Sequence, residues 1–326
     1  MLVSPSVRAV QVPDENPMHP VYTTIYIVGR DQVMTIDSGE AMDRYRWMLR
    51  GYLAASEHAE IAVAALTHHH FDHSGNLRWI RENLGAEVLI PPGAEPLLTD
   101  YLPNNGYSIL EDGRVLDMGG GVTLQVLTTP GHSIDSVCYY LESEGVLFTG
   151  DTLLGNSTTT IRDLGAYLVS LQRLIALPNL KVICPGHGEL VQDPYERLHS
   201  YVEHRQARER QILAALADGE ELTSWDIMLR LYADIDPRLR RSADGNVRTH
   251  LDKLEAEGRL RVELGVPKRK TDAELKAEEE AAGRRAEDRQ RAEREAVEAR
   301  RAAVRAQENP PVNEWETPPK YALAPP

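Results

Sequence analysis

Four apolar, strand-like runs each end on a histidine or an aspartate. "IAVAAL" enters "THHHFDHSGN", "VTLQVLTTPG" stops at His132, "GVLFTG" at Asp151 and "KVICPG" at His187. Open α/β sheets gather their sites where strands end, so a fold that lays these runs side by side brings all of those side chains to one place. Within Thr67–Asn76 only one register spells His-x-His-x-Asp-His, namely His68, His70, Asp72 and His73; a shift by one puts Phe71 where a ligand is needed. His68 and His70 lie two apart, so an extended strand end aims both the same way, while Asp72 and His73 follow in the turn into a helix near Gly75. His69 then points to the opposite side, into packing or a hydrogen bond behind the ligands.

The resulting set, His68, His70, Asp72, His73, His132, Asp151 and His187, is five histidines and two aspartates. That inventory suits two borderline-soft cations with a bridging carboxylate and positions left for water and substrate. Two Zn2+ ions are expected; imidazole also suits iron, and mixed nitrogen and oxygen sites accept manganese. Asp37, in "TIDSG", ends another strand-like run and is expected beneath the site or in a turn. Thr158 and Thr159 in a polar loop, with His204 and Arg205 on the helix after the metal segment, are the candidate substrate-side residues.

From Val21 to about Leu190 short β-rich runs alternate with helical stretches, which indicates an α/β layered domain, here bounded at residues 1–218. Leu164, Leu168, Leu171 and Ile175 share one helical face behind an Asp163 cap, and a second long helix is expected from about Pro194 to Ala217. Over 219–266 a capping box (Thr223 to Asp226), a stripe of Val247, Leu251 and Leu254, a stop at Gly258 and the run "RLRVELG" describe a small winged-helix-like module. Residues 267–308 are mostly Glu, Arg and Ala with pairs four apart, such as Glu280 with Arg284, and read as an exposed charged helix that offers a surface to a protein partner. The Pro-rich 309–326 reads as disordered.

The chain is 326 residues long with a net charge of -14, which repels a polyanion at long range. A local basic face remains available in Arg230, Arg238, Arg240, Arg241, Arg248 and Lys253. Its two cysteines, Cys138 and Cys184, sit inside apolar runs, so small buried thiols and a reducing compartment are expected. No apolar run reaches the roughly 18 to 20 residues of a membrane helix, and the N-terminus lacks the pattern of a secretory signal; a soluble, cytoplasmic protein with no membrane partner is expected.

"THHHFDHSGN", "TPGHS", "FTGDTLLG" and "CPGHG", in this order, resemble the metallo-β-lactamase superfamily, over about residues 20 to 215. The resemblance implies an αββα sandwich in which His68, His70 and His132 hold one metal, Asp72, His73 and His187 the other, and Asp151 bridges. "GDTLLGNSTTTIRDLGAYLVSLQRL", "YVEHRQARERQIL" and the winged-helix-like module further resemble a branch containing animal mitochondrial endoribonucleases and fungal carrier-protein thioesterases. Where that branch commonly has Thr-Asn-x-Tyr, this chain places Thr24 in the Asn position. The implied activity is hydrolysis through a bridging hydroxide that Asp72 orients and whose proton it handles. An ester or thioester on a small or carrier-bound acyl substrate is the leading expectation; cleavage of single-stranded RNA, or a non-catalytic interaction or DNA-binding role, are the alternatives.

Overall fold

The computed structural model describes residues 1–13, 22–30, 32–56, 60–98, 100–267 and 315–324. The charged helix expected over 267–308 lies, residue 267 apart, outside the described residues. The described chain forms two compact units, 1–205 and 206–326.

The first unit holds two sheets. One has seven strands in sequence order: β1 (Leu2–Ser4), β2 (Val7–Pro13), β3 (Tyr22–Gly29), β4 (Gln32–Ile36), β5 (Glu60–Ala65), β6 (Glu87–Ile90) and β7 (Tyr107–Ile109). Its first four strands pair antiparallel; the β4–β5, β5–β6 and β6–β7 pairs are parallel, the first crossing over through helix α1 (Asp43–Ala55), the second through α2 (Phe71–Ser74) and α3 (Leu77–Leu84), and the third through a segment with one short 3-10 turn, Glu95–Leu97. The other sheet runs β8 (Val115–Asp117), β9 (Thr123–Thr128), β10 (Val137–Leu141), β11 (Val146–Gly150) and β12 (Val182–Pro185). Only β11–β12 is parallel in it, with α4 (Leu164–Ile175) in the crossover.

Strand periodicity decides the layers. In β10, Tyr139 and Leu141 face the other sheet while Cys138 and Tyr140 face the helices, so every residue of the strand is buried. The inter-sheet core joins Tyr26, Val28, Met34 and Ile36 to Val126, Tyr139, Phe148 and Cys184, and the Tyr26 and Phe148 rings meet edge-on at 5.2 Å. Outside, Tyr45, Leu49, Leu77 and Ile80 of α1 and α3 cover Ile25, Ile27 and Val88. On the opposite side Leu164, Tyr167, Leu171 and Leu174 of α4 cover Cys138, Tyr140 and Leu147. At about 1.5–3 kcal/mol per large apolar side chain, these three layers dominate the stability of the unit. Asp163 caps α4 as its sequence suggests, accepting from the Ala166 N–H at 2.9 Å.

The boundary between units falls inside α5 (Pro194–Ala215) rather than at residue 218, because Ile212 and Leu216 belong to the second unit's core. That unit contains β13 (Leu222–Thr223), α6 (Ser224–Leu231), α7 (Arg240–Ala256), β14 (Leu260–Glu263), β15 (Val266–Pro267), β16 (Trp315–Thr317) and β17 (Lys320–Leu323). The Thr223–Asp226 capping box is present, and Gly258 ends the α7 segment at φ 71°. The disordered reading of 309–326 is corrected over 315–324. There β17 fills the centre of an antiparallel β13-β17-β14 sheet, and β16 pairs with β15. Two short strands alone would leave facing backbone groups unpaired; β17 satisfies both and buries Tyr321 against Val247, Leu251 and Leu260.

Candidate metal centre

The C-terminal ends of β5, β9, β11 and β12 converge, and their following residues form two donor groups. His68, His70, His132 and Asp151 make one; Asp72, His73 and His187 make the other, with the potential ligand atoms of each group within 4.8 Å of one another. In the first, His70 Nδ1 lies 2.9 Å from His68 Nε2 and 3.2 Å from His132 Nε2. In the second, His73 Nε2 lies 3.1 Å from His187 Nε2, which is 3.3 Å from Asp72 Oδ2. Asp151 sits between them: its Oδ1 is 3.4 Å from both His73 Nε2 and His187 Nε2, and its Oδ2 is 3.9 Å from His132 Nε2. All seven residues expected as ligands therefore meet at one place.

Local structure explains the aim. β5 stops at Ala65, His68 and His70 leave it in alternation, and α2 begins at Phe71, turning Asp72 and His73 back toward the strand ends. Gly186 lets β12 deliver His187 against this turn, since a Cβ there would stand 2.5 Å from His73 Cε1 and 2.8 Å from Asp151 Oδ1. Behind four of the five imidazoles a fixed partner engages the second ring nitrogen. Thr67 Oγ1 meets His68 Nδ1 at 3.0 Å, Asp37 Oδ2 meets His73 Nδ1 at 2.7 Å, and Thr23 Oγ1 meets His187 Nδ1 at 3.2 Å. His132 Nδ1 faces the Thr160 carbonyl and Thr159 Oγ1, both at 2.9 Å. Such partners select the tautomer that leaves the other nitrogen's lone pair aimed inward.

Asp37 is thus the support expected beneath the site, and it does more than contact His73. Its carboxylate also accepts from the Thr67 N–H at 2.7 Å and the Thr67 hydroxyl at 2.9 Å. His69 faces away from the donor groups: Asp135 accepts from its backbone N–H and engages Nδ1, each at 2.8 Å. Thr23, Thr67 and Asp135 carry no spacing signal and escape sequence reasoning; Thr67 alone is adjacent to the histidine it serves, while Asp135 lies 66 residues from His69.

Two of the expected substrate-side residues turn inward. Thr159 is buried on His132, and the fully buried Arg205 donates from Nη2 to the Thr159 carbonyl at 2.7 Å, with its guanidinium 5.8 Å from the Tyr167 ring centre. Both brace a ligand instead of lining an entrance. Thr158 is exposed and His204 half-buried.

Burial holds His68 well below its ordinary range, with His73, His70 and His132 adding to the effect. The same burial, reinforced by His132, pulls His70 down to about 3, and burial lowers His132 too. The shifts favour the neutral ring, the form that metal ligation demands. Burial also acts against charge on His73 and Asp151, yet their environment outweighs it: Asp151, Asp37 and Asp72 raise His73, while His187 and His73 hold Asp151 well below the usual carboxylate range. Asp151 Oδ1 is buried without a hydrogen bond. Neutral imidazoles aimed at one another, and a buried carboxylate oxygen with nothing to accept, are what a metal-binding donor set looks like.

Four of the six cations considered for RNA are paired with carboxylates. In the second unit Arg230 pairs with Glu220 at 2.5 Å, Arg238 with Asp236 at 2.5 Å, Arg248 with Asp244 at 2.9 Å, and Lys253 with both Glu209 and Glu257 at 2.7 Å. Cys138 and Cys184 are buried free thiols. No helix among the described residues is long and apolar enough to cross a membrane.

Comparison with known proteins agrees with this construction. Residues 20–187 match the metallo-beta-lactamase superfamily and residues 223–265 the beta-lactamase associated winged helix domain. The chain is 33% identical over 244 residues to beta-lactamase-like protein 2 homolog of Caenorhabditis elegans, covering 72% of this chain and 79% of that one. It is 35% identical over 219 residues to an atrochrysone carboxyl ACP thioesterase of Aspergillus fumigatus, covering 65% of each. A metallo-beta-lactamase family protein of Thermus thermophilus shares the fold with a TM-score of 0.66 at 28% identity, over 80% of this chain and 96% of that one. A beta-lactamase domain protein of Burkholderia ambifaria does so with a TM-score of 0.72 at 21% identity, over 81% and 89%. With its strand-end histidines and aspartates and its attached winged helix, the chain belongs to the metallo-beta-lactamase superfamily of hydrolases.

Proposed function

We propose that the protein is a dinuclear metal-dependent hydrolase of ester or thioester bonds, with an acyl group on a small molecule or a carrier protein as substrate. The observation that carries this reading is the pair of donor groups meeting at Asp151, whose buried Oδ1 stands equidistant from His73 and His187. His68, His70 and His132 would hold one cation, Asp72, His73 and His187 the other, and Asp151 would serve both; zinc suits a set so rich in imidazole. Two cations held here would lower the pKa of water from about 15.7 toward about 7 and polarise the acyl oxygen under attack.

The protein's own part is positioning and proton transfer. Asp72, beside His187, orients the attacking water and accepts its proton. Asp37, Thr23, Thr67 and Thr159 keep the rings from turning, so the constellation needs little rearrangement during reaction. Exposed Thr158 and half-buried His204 are the residues proposed to meet the substrate. Support for a thioester comes from the similarity to the fungal ACP thioesterase and from a net charge of -14, with Arg230, Arg238, Arg248 and Lys253 of the candidate basic face held in ion pairs.

The test is a zinc-replete panel of acyl thioesters, esters, β-lactams, phosphodiesters and single-stranded RNA, with Asp72→Ala as the control. Thioester or ester turnover that disappears in Asp72→Ala is expected. Turnover of RNA alone would overturn the substrate assignment, and activity retained in Asp72→Ala would overturn the role given to Asp72.

A further inference from the structure

The second unit carries a groove of about 770 Å3 that the hydrolytic centre does not use. Its walls come from the start of α6, one face of α7, the β14–β15 turn and the strand pair that residues 315–324 contribute. Three aromatic side chains, Trp225, Trp315 and Tyr321, line it, and Leu264 at its margin is 85% exposed.

The charges around these rings are one-sided. Asp252, Glu255 and Glu316 line the groove and form no ion pair among the described residues. Partial burial raises the Asp252 carboxyl above its ordinary range, and Glu255 adds to it. Arg248, the cation in the lining, is held by Asp244 at 2.9 Å. Among the described residues of the unit, Arg230, Arg238, Lys253, Arg259 and Arg261 are each matched to a carboxylate, and against these pairs the acidic rim stands out.

Aromatic faces beside unpaired carboxylates attract a guanidinium twice over, through the ring quadrupole and through charge-assisted hydrogen bonds. A phosphate backbone would meet repulsion here. We propose that this groove docks an arginine-bearing, otherwise apolar peptide segment of a partner protein, so that the winged-helix unit recognises protein and not nucleic acid. Trp and Tyr anchors in a concave, acid-rimmed surface give such a segment both a buried contact and a specific charge requirement. The inference goes beyond the hydrolase reading and is independent of it.

The test uses the full chain and a fluorescein-labelled nonapeptide of repeated Arg-Pro-Leu, followed by anisotropy and by tryptophan emission. A peptide with glutamate in place of arginine is the control. The double variant Glu255→Lys/Glu316→Lys changes exposed side chains and should keep its melting temperature. Binding by the wild type, a loss of at least about tenfold in the double variant and no binding of the glutamate peptide are expected. Failure of the arginine peptide to bind, equal affinity in the double variant, or displacement by single-stranded RNA or duplex DNA would each overturn the proposal.

Discussion

Asp37 holds a backbone conformation, φ 64°, that asparagine and aspartate tolerate better than other side chains, and from it reaches both Thr67 and His73. Asp37→Asn keeps the shape and the backbone but sets an amide against donors. Metal affinity should fall about 10- to 100-fold, read by competition with a chromogenic chelator; unchanged affinity would remove Asp37 from the support of His73. The buried thiols make a second expectation at this scale. Burial pushes Cys138 up to about 11 and Cys184 higher still, so an Ellman titration at pH 8 should find no reactive thiol before denaturation and two after it. A thiol that reacts in the native protein would contradict the packing described. The seven ligand candidates were legible because spacing and strand ends encode direction. Thr159 and Arg205 were not, since helix and loop assignments say nothing about which way a long cation turns once buried. Its contact with the Thr159 carbonyl exists only in three dimensions.

Local signals served the elements well and long-range pairing served them badly. The Asp163 cap and the Thr223–Asp226 box each involve residues three apart, and both formed as written. Asp163→Ala should cost about 1 kcal/mol in urea unfolding, and no measurable cost would deny the cap its contribution. β17 is the opposite case. Its partners, Leu222–Thr223 and Leu260–Glu263, lie far back along the chain, and the prolines around it look like linker. No short window of sequence records that a sheet elsewhere needs a central strand. The burial of Tyr321, at 7% exposure in the unit's core, gives the strand a measurable weight. Tyr321→Ala should destabilise the second unit by about 3 kcal/mol, monitored by urea unfolding of that unit's tryptophans, whereas a disordered segment would tolerate the change without effect.

At the scale of the whole molecule, two units with separate cores answer differently to metal. The layered architecture of the first was legible from the alternation of strands and helices, and the second from its capping box, stripe and Gly stop; what composition could not show is that α5 serves both cores. The seven donor residues all belong to the first unit and stand at the ends of four of its strands. Without a cation, that unit must bury crowded imidazoles and a carboxylate oxygen that has no hydrogen bond. A cation in a thousandfold excess over its dissociation constant adds about 4 kcal/mol to a state that binds it. For a unit of this size that corresponds to a rise of about 8 to 16 °C in melting temperature. Chelator treatment should therefore lower the melting temperature and zinc should restore it, by scanning calorimetry. Hydrogen exchange should quicken after β5, β9, β11 and β12 while α6 and α7 stay protected as before. Melting indifferent to chelator would mean that the convergence of seven donors is structural packing, and the metal reading would fail with it. Loss of protection in α6 and α7 to the same degree would instead show that the helix shared by both cores makes the units unfold as one.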